Sequence, residues 1–368
     1  MNQDLVVSRT DLHDLKLVDG GDPAPLAAGQ VRMKVDRFAI TANNITYGVF
    51  GDALSYWSFF PAEDGYGRIP VWGFADVIES ACDGVAVGDR LYGYWPMSDE
   101  LVVEPVNVSP RGFSDGIANR AELPPVYNNY SLTSGDPMYR RELEAEHMLL
   151  FPLFSTSFLL WDFVVDNDRF GGTNMLITSA SSKTAIGTAR LFHEYPVDGV
   201  TTIGLTSAGN VEFVRSLGIY DTVLSYEEIE AIPAGPTVLL DFSGGAELRF
   251  GIHSQLGADL KYSCAIGATH WDAGGGIDTR GKSLPGPKPE MFFAPAQIRK
   301  RFKEWGPEKF GERMAKNWFA FVEYSRDWMT VETVSGLEAA GGVIRRFLDR
   351  ETSPKTGYIV DVAAGSAD

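Results

Sequence analysis

Between residues 174 and 267 short apolar runs alternate with helix-like stretches, and this alternation restricts the fold more than anything else in the chain. The strand-like runs are Asn174-Met-Leu-Ile-Thr-Ser179, Val200-Thr-Thr-Ile-Gly-Leu-Thr206, Asp221-Thr-Val-Leu224, Thr237-Val-Leu-Leu-Asp-Phe242 and Leu260-Lys-Tyr-Ser-Cys-Ala-Ile-Gly267. Helical patterns over 180–189, 208–217 and 246–256 separate them, the second stopping at Gly218. Short apolar strands alternating with amphipathic helices specify a parallel sheet covered on both faces. A doubly wound nucleotide fold is the expectation.

Its first strand-to-helix turn, Ser179-Ala-Ser-Ser-Lys-Thr184, is where a nucleotide phosphate would sit. A helix N-terminus offers unpaired N–H groups and a positive dipole end, and small residues let a phosphate approach the backbone. Ser179, Ser181 and Ser182 stand where a dinucleotide fold usually has glycines, and Gly187 is expected to permit close helix–sheet packing. A P-loop would need glycines at the positions of Ile177 and Ser182, so that rival fails on spacing.

Cofactor choice follows from a missing charge. Enzymes preferring NAD usually keep an acidic residue after the second strand for the ribose 2′-OH, and it would repel a 2′-phosphate. Here that strand ends Gly204-Leu205-Thr206-Ser207-Ala208, so NADPH is the expected cofactor. Lys183 and Thr184 are its nearest candidate phosphate contacts, with Thr206 and Ser207 near the ribose. Loops at the carboxyl ends of later strands add Ser243, Gly267 and His270. Ser243 reads equally as a helix N-cap, and a lone loop histidine as solvated.

The 368 residues exceed the size at which single cores stop growing, so two domains are expected. Against 49 acidic residues stand 32 lysines and arginines, a net charge of -17, which argues against nucleic acid or an anionic membrane as partner. Two cysteines, Cys82 and Cys264, suggest no disulfide framework. The start, Met1-Asn-Gln-Asp-Leu5, lacks signal-peptide character, and the apolar stretch 148–165 is interrupted by Pro152, hydroxyl residues and Asp162. A soluble, cytoplasmic protein with a small-molecule substrate is the expectation.

Residues 1 to about 105 carry β patterns and turns: Gln30-Val-Arg-Met-Lys-Val-Asp-Arg-Phe-Ala39, Val71-Trp-Gly-Phe-Ala-Asp-Val-Ile78 and Val85-Ala-Val-Gly-Asp-Arg-Leu-Tyr-Gly93 suggest a small β-barrel. After a helical stretch over 310–328, Thr356-Gly-Tyr-Ile-Val-Asp-Val362 is one more strand, which most economically returns to that first domain.

The order of these features resembles the medium-chain dehydrogenase/reductases, in particular the zinc-free quinone oxidoreductase and enoyl reductase branch. Gly88-Asp89-Arg90-Leu91-Tyr92-Gly93 matches its GDRV-type turn, and Pro70-Val-Trp-Gly73-Phe-Ala-Asp-Val-Ile-Glu79 the strand before it. Ala39-Ile-Thr-Ala-Asn-Asn-Ile-Thr-Tyr-Gly48 matches the substrate-side loop, and Ser353-Pro-Lys-Thr-Gly-Tyr-Ile-Val360 the closing strand. The resemblance, nearly end to end, implies a GroES-like β-barrel domain over 1–150 and a Rossmann domain with a doubly wound parallel sheet over 151–328. Residues 329–368 return to the barrel. It also implies a homodimer joined at an exposed sheet edge, to which Phe292-Phe293 could contribute.

Two departures stand out. Zinc-dependent relatives carry a Cys near the substrate loop and a Gly-His-Glu after it, where this chain has Ala42-Asn43-Asn44 and Gly73-Phe74-Ala75. No Cys, His or carboxylate cluster replaces them, so no metal is expected. An insertion of about forty residues, roughly 105–146, reads as a long loop: a lid, a mobile segment, or a structural or dimer contact.

For chemistry, a hydride acceptor must be held while charge develops on its carbonyl oxygen. By resemblance Tyr47 stands where enoyl reductases carry a tyrosine, and can donate a proton or hydrogen bond; its alternative is aromatic packing. Asn43 and Asn44 would orient substrate carbonyls, or hold a turn through side-chain to backbone bonds. Three classes of function remain: an NADPH-dependent reductase of an activated double bond, quinone or enoyl thioester; a fold-retaining protein that binds nucleotide weakly or not at all; and a non-redox lyase.

Overall fold

The computed structural model describes all residues except 1, 22, 121, 122, 124, 267–282 and 363–368. The chain divides into two compact units. One comprises Met1–Leu149 with Met329–Asp368, the other Leu150–Trp328.

The second unit is built on six parallel strands: Asn174–Thr178, Thr201–Thr206, Thr222–Ser225, Thr237–Asp241, Leu260–Ala265 and Glu290–Met291. Their order across the sheet is third, second, first, fourth, fifth, sixth, all in parallel register. The two central strands are buried at every position, as expected of strands covered on both faces. Leu176, Ile203, Leu239, Ile252 and Leu256 form one core, each large side chain contributing roughly 1.5–3 kcal/mol of transfer free energy.

The other unit holds a three-stranded sheet and a nine-stranded one. Alternation in Val31–Ile40 buries Val31, Met33 and Val35 while Lys34 stays exposed. That strand pairs antiparallel with Val71–Ser80 on one side and with Thr356–Asp361 on the other. Helix Gly336–Leu348 packs Leu337, Ala340, Val343 and Ile344, one face of a 3.6-residue period, into the same core.

Two expectations are corrected here. The insertion at 105–146 is not a long loop. Its hairpin, Pro105–Ser109 with Gly112–Asp115, and the strand Asn129–Leu132 extend the large sheet beyond Arg90–Trp95. Tyr130 anchors it by donating from its buried hydroxyl to the Tyr94 carbonyl, and Arg120 is buried against Asp115. Residues 42–49, read as a loop, form helix Ala42–Val49.

The apolar stretch with Pro152 lies in one helix, Glu144–Asp166. The proline forfeits a single backbone hydrogen bond, while Ser155 and Thr156 donate their hydroxyls to carbonyls one turn back. With the preceding turn this segment is long and apolar enough to cross a membrane by composition, yet 56% of its apolar window is buried inside the protein, as in a core helix.

Candidate functional site

The first parallel strand ends in a tight turn whose backbone is left-handed at Ser179 (φ 48°), a conformation glycine adopts more cheaply. Ser182 N donates to the Ser179 carbonyl at 2.8 Å, and the Ser182 side chain caps helix Lys183–Glu194 by accepting from Ala185 N. Gly204 lets the turn lie flat on the second strand: a Cβ there would meet Tyr220 at 2.9 Å and Ala180 at 3.1 Å.

The hydroxyls predicted from sequence converge at this turn. Thr206, 1% exposed, donates to Ser181 Oγ at 3.3 Å, and Asn210 Nδ2 reaches Ser181 Oγ at 3.2 Å and Ser207 Oγ at 3.1 Å. Ser179 Oγ lies 3.3 Å from the Tyr226 hydroxyl. Lys183 and Thr184 open the helix, both half-buried, and burial pushes the Lys183 ammonium down to about 8. Residues 174–193 contain no acidic side chain. Small side chains, a helix start and a destabilised cation together fit a dinucleotide pyrophosphate.

Ser243 lies on the loop after the fourth strand, but it is not a helix cap. Gly245 caps helix Ala246–Leu256, and the Ser243 hydroxyl donates to Asp241 Oδ1 at 2.7 Å. Gly187 also differs from expectation. It brings its helix against helix Glu144–Asp166, where a Cβ would sit 2.6 Å from Ser157 Oγ, rather than against the sheet. Gly267 and His270 lie outside the described residues.

In the other unit, helix Ala42–Val49 buries Asn44, Tyr47 and Gly48 on one face, the i, i+3, i+4 set. Asn44 is 2% exposed; its Oδ1 accepts from Thr41 N at 2.7 Å and its Nδ2 donates to the Pro70 carbonyl at 2.8 Å. With the amide spent on protein groups, Asn44 positions the helix that carries Tyr47 rather than meeting substrate. Asn43 is exposed.

Tyr47 belongs to a closed ring of four tyrosines that the sequence did not disclose. Ring centroids are 4.5 Å apart for Tyr47 and Tyr56, 6.2 Å for Tyr56 and Tyr127, 4.8 Å for Tyr127 and Tyr94, and 5.9 Å for Tyr94 and Tyr47. Trp72 packs 5.0 Å from Tyr94. Tyr47, Tyr94, Phe59 and Phe60 are buried, whereas Tyr56, Trp72 and Tyr127 are half-buried at the rim. Burial, with Tyr127 adding and the polar groups of Trp72 and Tyr94 opposing, holds the Tyr47 hydroxyl well above the usual phenol range. Tyr47 therefore stays neutral at physiological pH and keeps its hydroxyl proton. Among the described residues no three His, Cys, Asp or Glu side chains are grouped to hold a metal ion.

The two units have the fold of the medium-chain dehydrogenase/reductases of the quinone oxidoreductase and enoyl reductase type, a GroES-like domain with a Rossmann domain. CurA from Vibrio vulnificus, solved in complex with NADPH, superposes with a TM-score of 0.62 at 12% identity, over 98% of this chain and 99% of CurA. The quinone oxidoreductase from Coxiella burnetii and the CurK enoyl reductase each give a TM-score of 0.54 at 14% identity, again over 98% of this chain and 99% of theirs. By sequence the chain belongs to the family described as "Protein of unknown function (DUF2855)", which it matches over residues 38–353. No curated protein matches it.

Proposed function

We propose that the chain is an NADPH-dependent oxidoreductase that reduces an activated double bond, a quinone or an enoyl thioester, without a metal. The observation that carries this reading is the Ser179–Thr184 turn: hydroxyls and a buried-in lysine at a helix start, beside a second strand that ends in Thr206 and Ser207 where an NAD enzyme would keep a carboxylate. The shared fold with NADPH-bound CurA supports it.

Bound NADPH supplies a hydride. The turn and Lys183 would hold its phosphates, and Thr206 and Ser207 accept a ribose with or without a 2′-phosphate. The neutral Tyr47 hydroxyl would donate a hydrogen bond to the substrate oxygen on which negative charge develops, the largest single electrostatic contribution available without a metal. The half-buried rim of Tyr56, Trp72 and Tyr127 offers flat apolar faces with hydroxyl edges, suited to a conjugated ring or enone. Such an enzyme would act in the cytoplasm as a homodimer, and its net charge of -17 argues against nucleic acid or anionic lipid as a partner.

Titrating NADPH and NADH by fluorescence quenching, with and without chelator, tests the proposal. NADPH should bind more tightly and chelation should change nothing; equal affinities, or tighter NADH, would refute the preference. Turnover on a panel of quinones, enones and enoyl thioesters then tests the reaction. A second reading, a fold-retaining protein without catalysis, is favoured by the way Ser181, Thr206, Ser207 and Asn210 bond to one another. Absence of binding by either cofactor would establish it, and substrate conversion without net cofactor consumption would point to a lyase.

A further inference from the structure

The first and fourth strands of the parallel sheet are neighbours, and their last residues are Thr178 and Asp241. From this pair the strand order runs outward in opposite directions, and loops at such a reversal flank the crevice that open parallel sheets use for ligands. Both residues are 1% exposed. The Thr178 hydroxyl donates to Asp241 Oδ1 at 2.8 Å and accepts from the backbone N–H groups of Phe242 at 2.9 Å and Ser243 at 3.1 Å.

Asp241 Oδ1 also accepts from Ser243 N at 3.0 Å and Gly244 N at 3.3 Å. Its Oδ2 faces Arg249, whose Nε and Nη2 each lie 2.8 Å away; Arg249 is itself buried. A buried carboxylate is tolerated only when paired and hydrogen-bonded, and here both oxygens are satisfied. Every backbone N–H from Phe242 to Gly244 therefore points into the protein. Loops in this position are ordinarily the adaptable part of a scaffold. This one cannot shift without stranding a buried charge, and it has no amides left to offer a phosphate.

We propose that Thr178, Asp241 and Arg249 are positioning residues that lock the Phe242–Gly245 loop in the form the bound dinucleotide requires, and confine its phosphates to the Ser179–Thr184 turn. This rests on the NADPH reading above. Asp241 sets the loop; Arg249 pairs with its Oδ2; Thr178 ties both to the central strand.

Thr178→Val keeps the side chain's shape and removes its hydrogen bonds, whereas Thr178→Ser keeps the hydroxyl. In the full chain, Thr178→Val should weaken NADPH and NADH alike by about tenfold, the cost of roughly one buried hydrogen bond. Amide hydrogen exchange at Phe242, Ser243 and Gly244 should accelerate, and Thr178→Ser should restore both readouts. Faster exchange with both affinities unchanged would overturn the proposal, leaving these residues only a share in the fold. If Thr178→Val does not fold, Arg249→Lys, which keeps the charge but loses the planar fork, should weaken both cofactors in the same ratio, and unchanged affinities would again overturn it. Wild-type protein that binds neither cofactor would instead remove the NADPH reading, and this proposal with it.

Discussion

Lys183 opens a helix where its charge opposes the dipole, and burial further disfavours the ammonium. Its folded pKa lies below its ordinary value, so it destabilises the folded chain below about pH 8, and that penalty fades as the pH rises past 8 toward the unfolded value. Lys183→Ala should therefore leave the apo protein neutral or slightly stabilised at pH 7 by thermal melting. It should weaken NADPH binding by about 1.5–3 kcal/mol, the range for a hydrogen bond to a charged group. Wild-type affinity should fall as the pH rises through about 8 or somewhat above, since a phosphate lifts the ammonium, and the variant should lose that dependence. Tyr47→Phe should lower turnover on the order of a hundredfold with NADPH binding and melting temperature nearly unchanged; a fall in stability with turnover intact would assign the hydroxyl to packing. The turn residues were legible because a strand, small side chains and a helix start are adjacent in sequence. The bond from Asn44 to Pro70 and the tyrosine ring were not, because Pro70, Tyr94 and Tyr127 are remote in sequence and only the fold brings them together.

Among elements, the contact of helix Lys183–Glu194 with helix Glu144–Asp166 depends on an absent side chain at Gly187. The Ser157 hydroxyl fills that space, 2.8 Å from the Thr184 carbonyl and 3.0 Å from that of Leu153, which share its one proton. Gly187→Ala should cost roughly 1–3 kcal/mol in denaturant unfolding, as overpacking does, and less in a Ser157→Ala background. The parallel strands were readable in advance because strands buried on both faces appear as unbroken apolar runs, such as Met175–Ile177 and Val238–Leu240 within theirs. The strands after Val103 were not. Pro105–Ser109 is almost wholly exposed and begins with proline, so its brief Val106-Asn107-Val108 alternation does not mark a half-buried strand, and it forms because a partner strand stands next to it. Pro152 does not break its helix, since one lost hydrogen bond is small beside the burial of the helix around it.

At the scale of the whole molecule, the parallel sheet ends in the two-residue strand Glu290–Met291, followed by Phe292 and by Phe293, which is 55% exposed. Among the described residues no further strand pairs with this edge, and an edge strand beside an exposed aromatic is a surface that proteins ordinarily cover. A homodimer is expected by light scattering at micromolar concentration, and a monomer mass there would defeat it. The place of strand Thr356–Asp361 has a different consequence. It lies inside the nine-stranded sheet, between Val31–Ile40 and Thr330–Ser335, although it is the last strand among the described residues. During synthesis, then, everything the Leu150–Trp328 unit requires leaves the ribosome while the sheet begun at Val31 still has an open slot. Contacts so distant along the chain form slowly, and unpaired strand edges invite association in the meantime. Completion of that sheet is the step at which translation speed and chaperones would decide the yield of native protein.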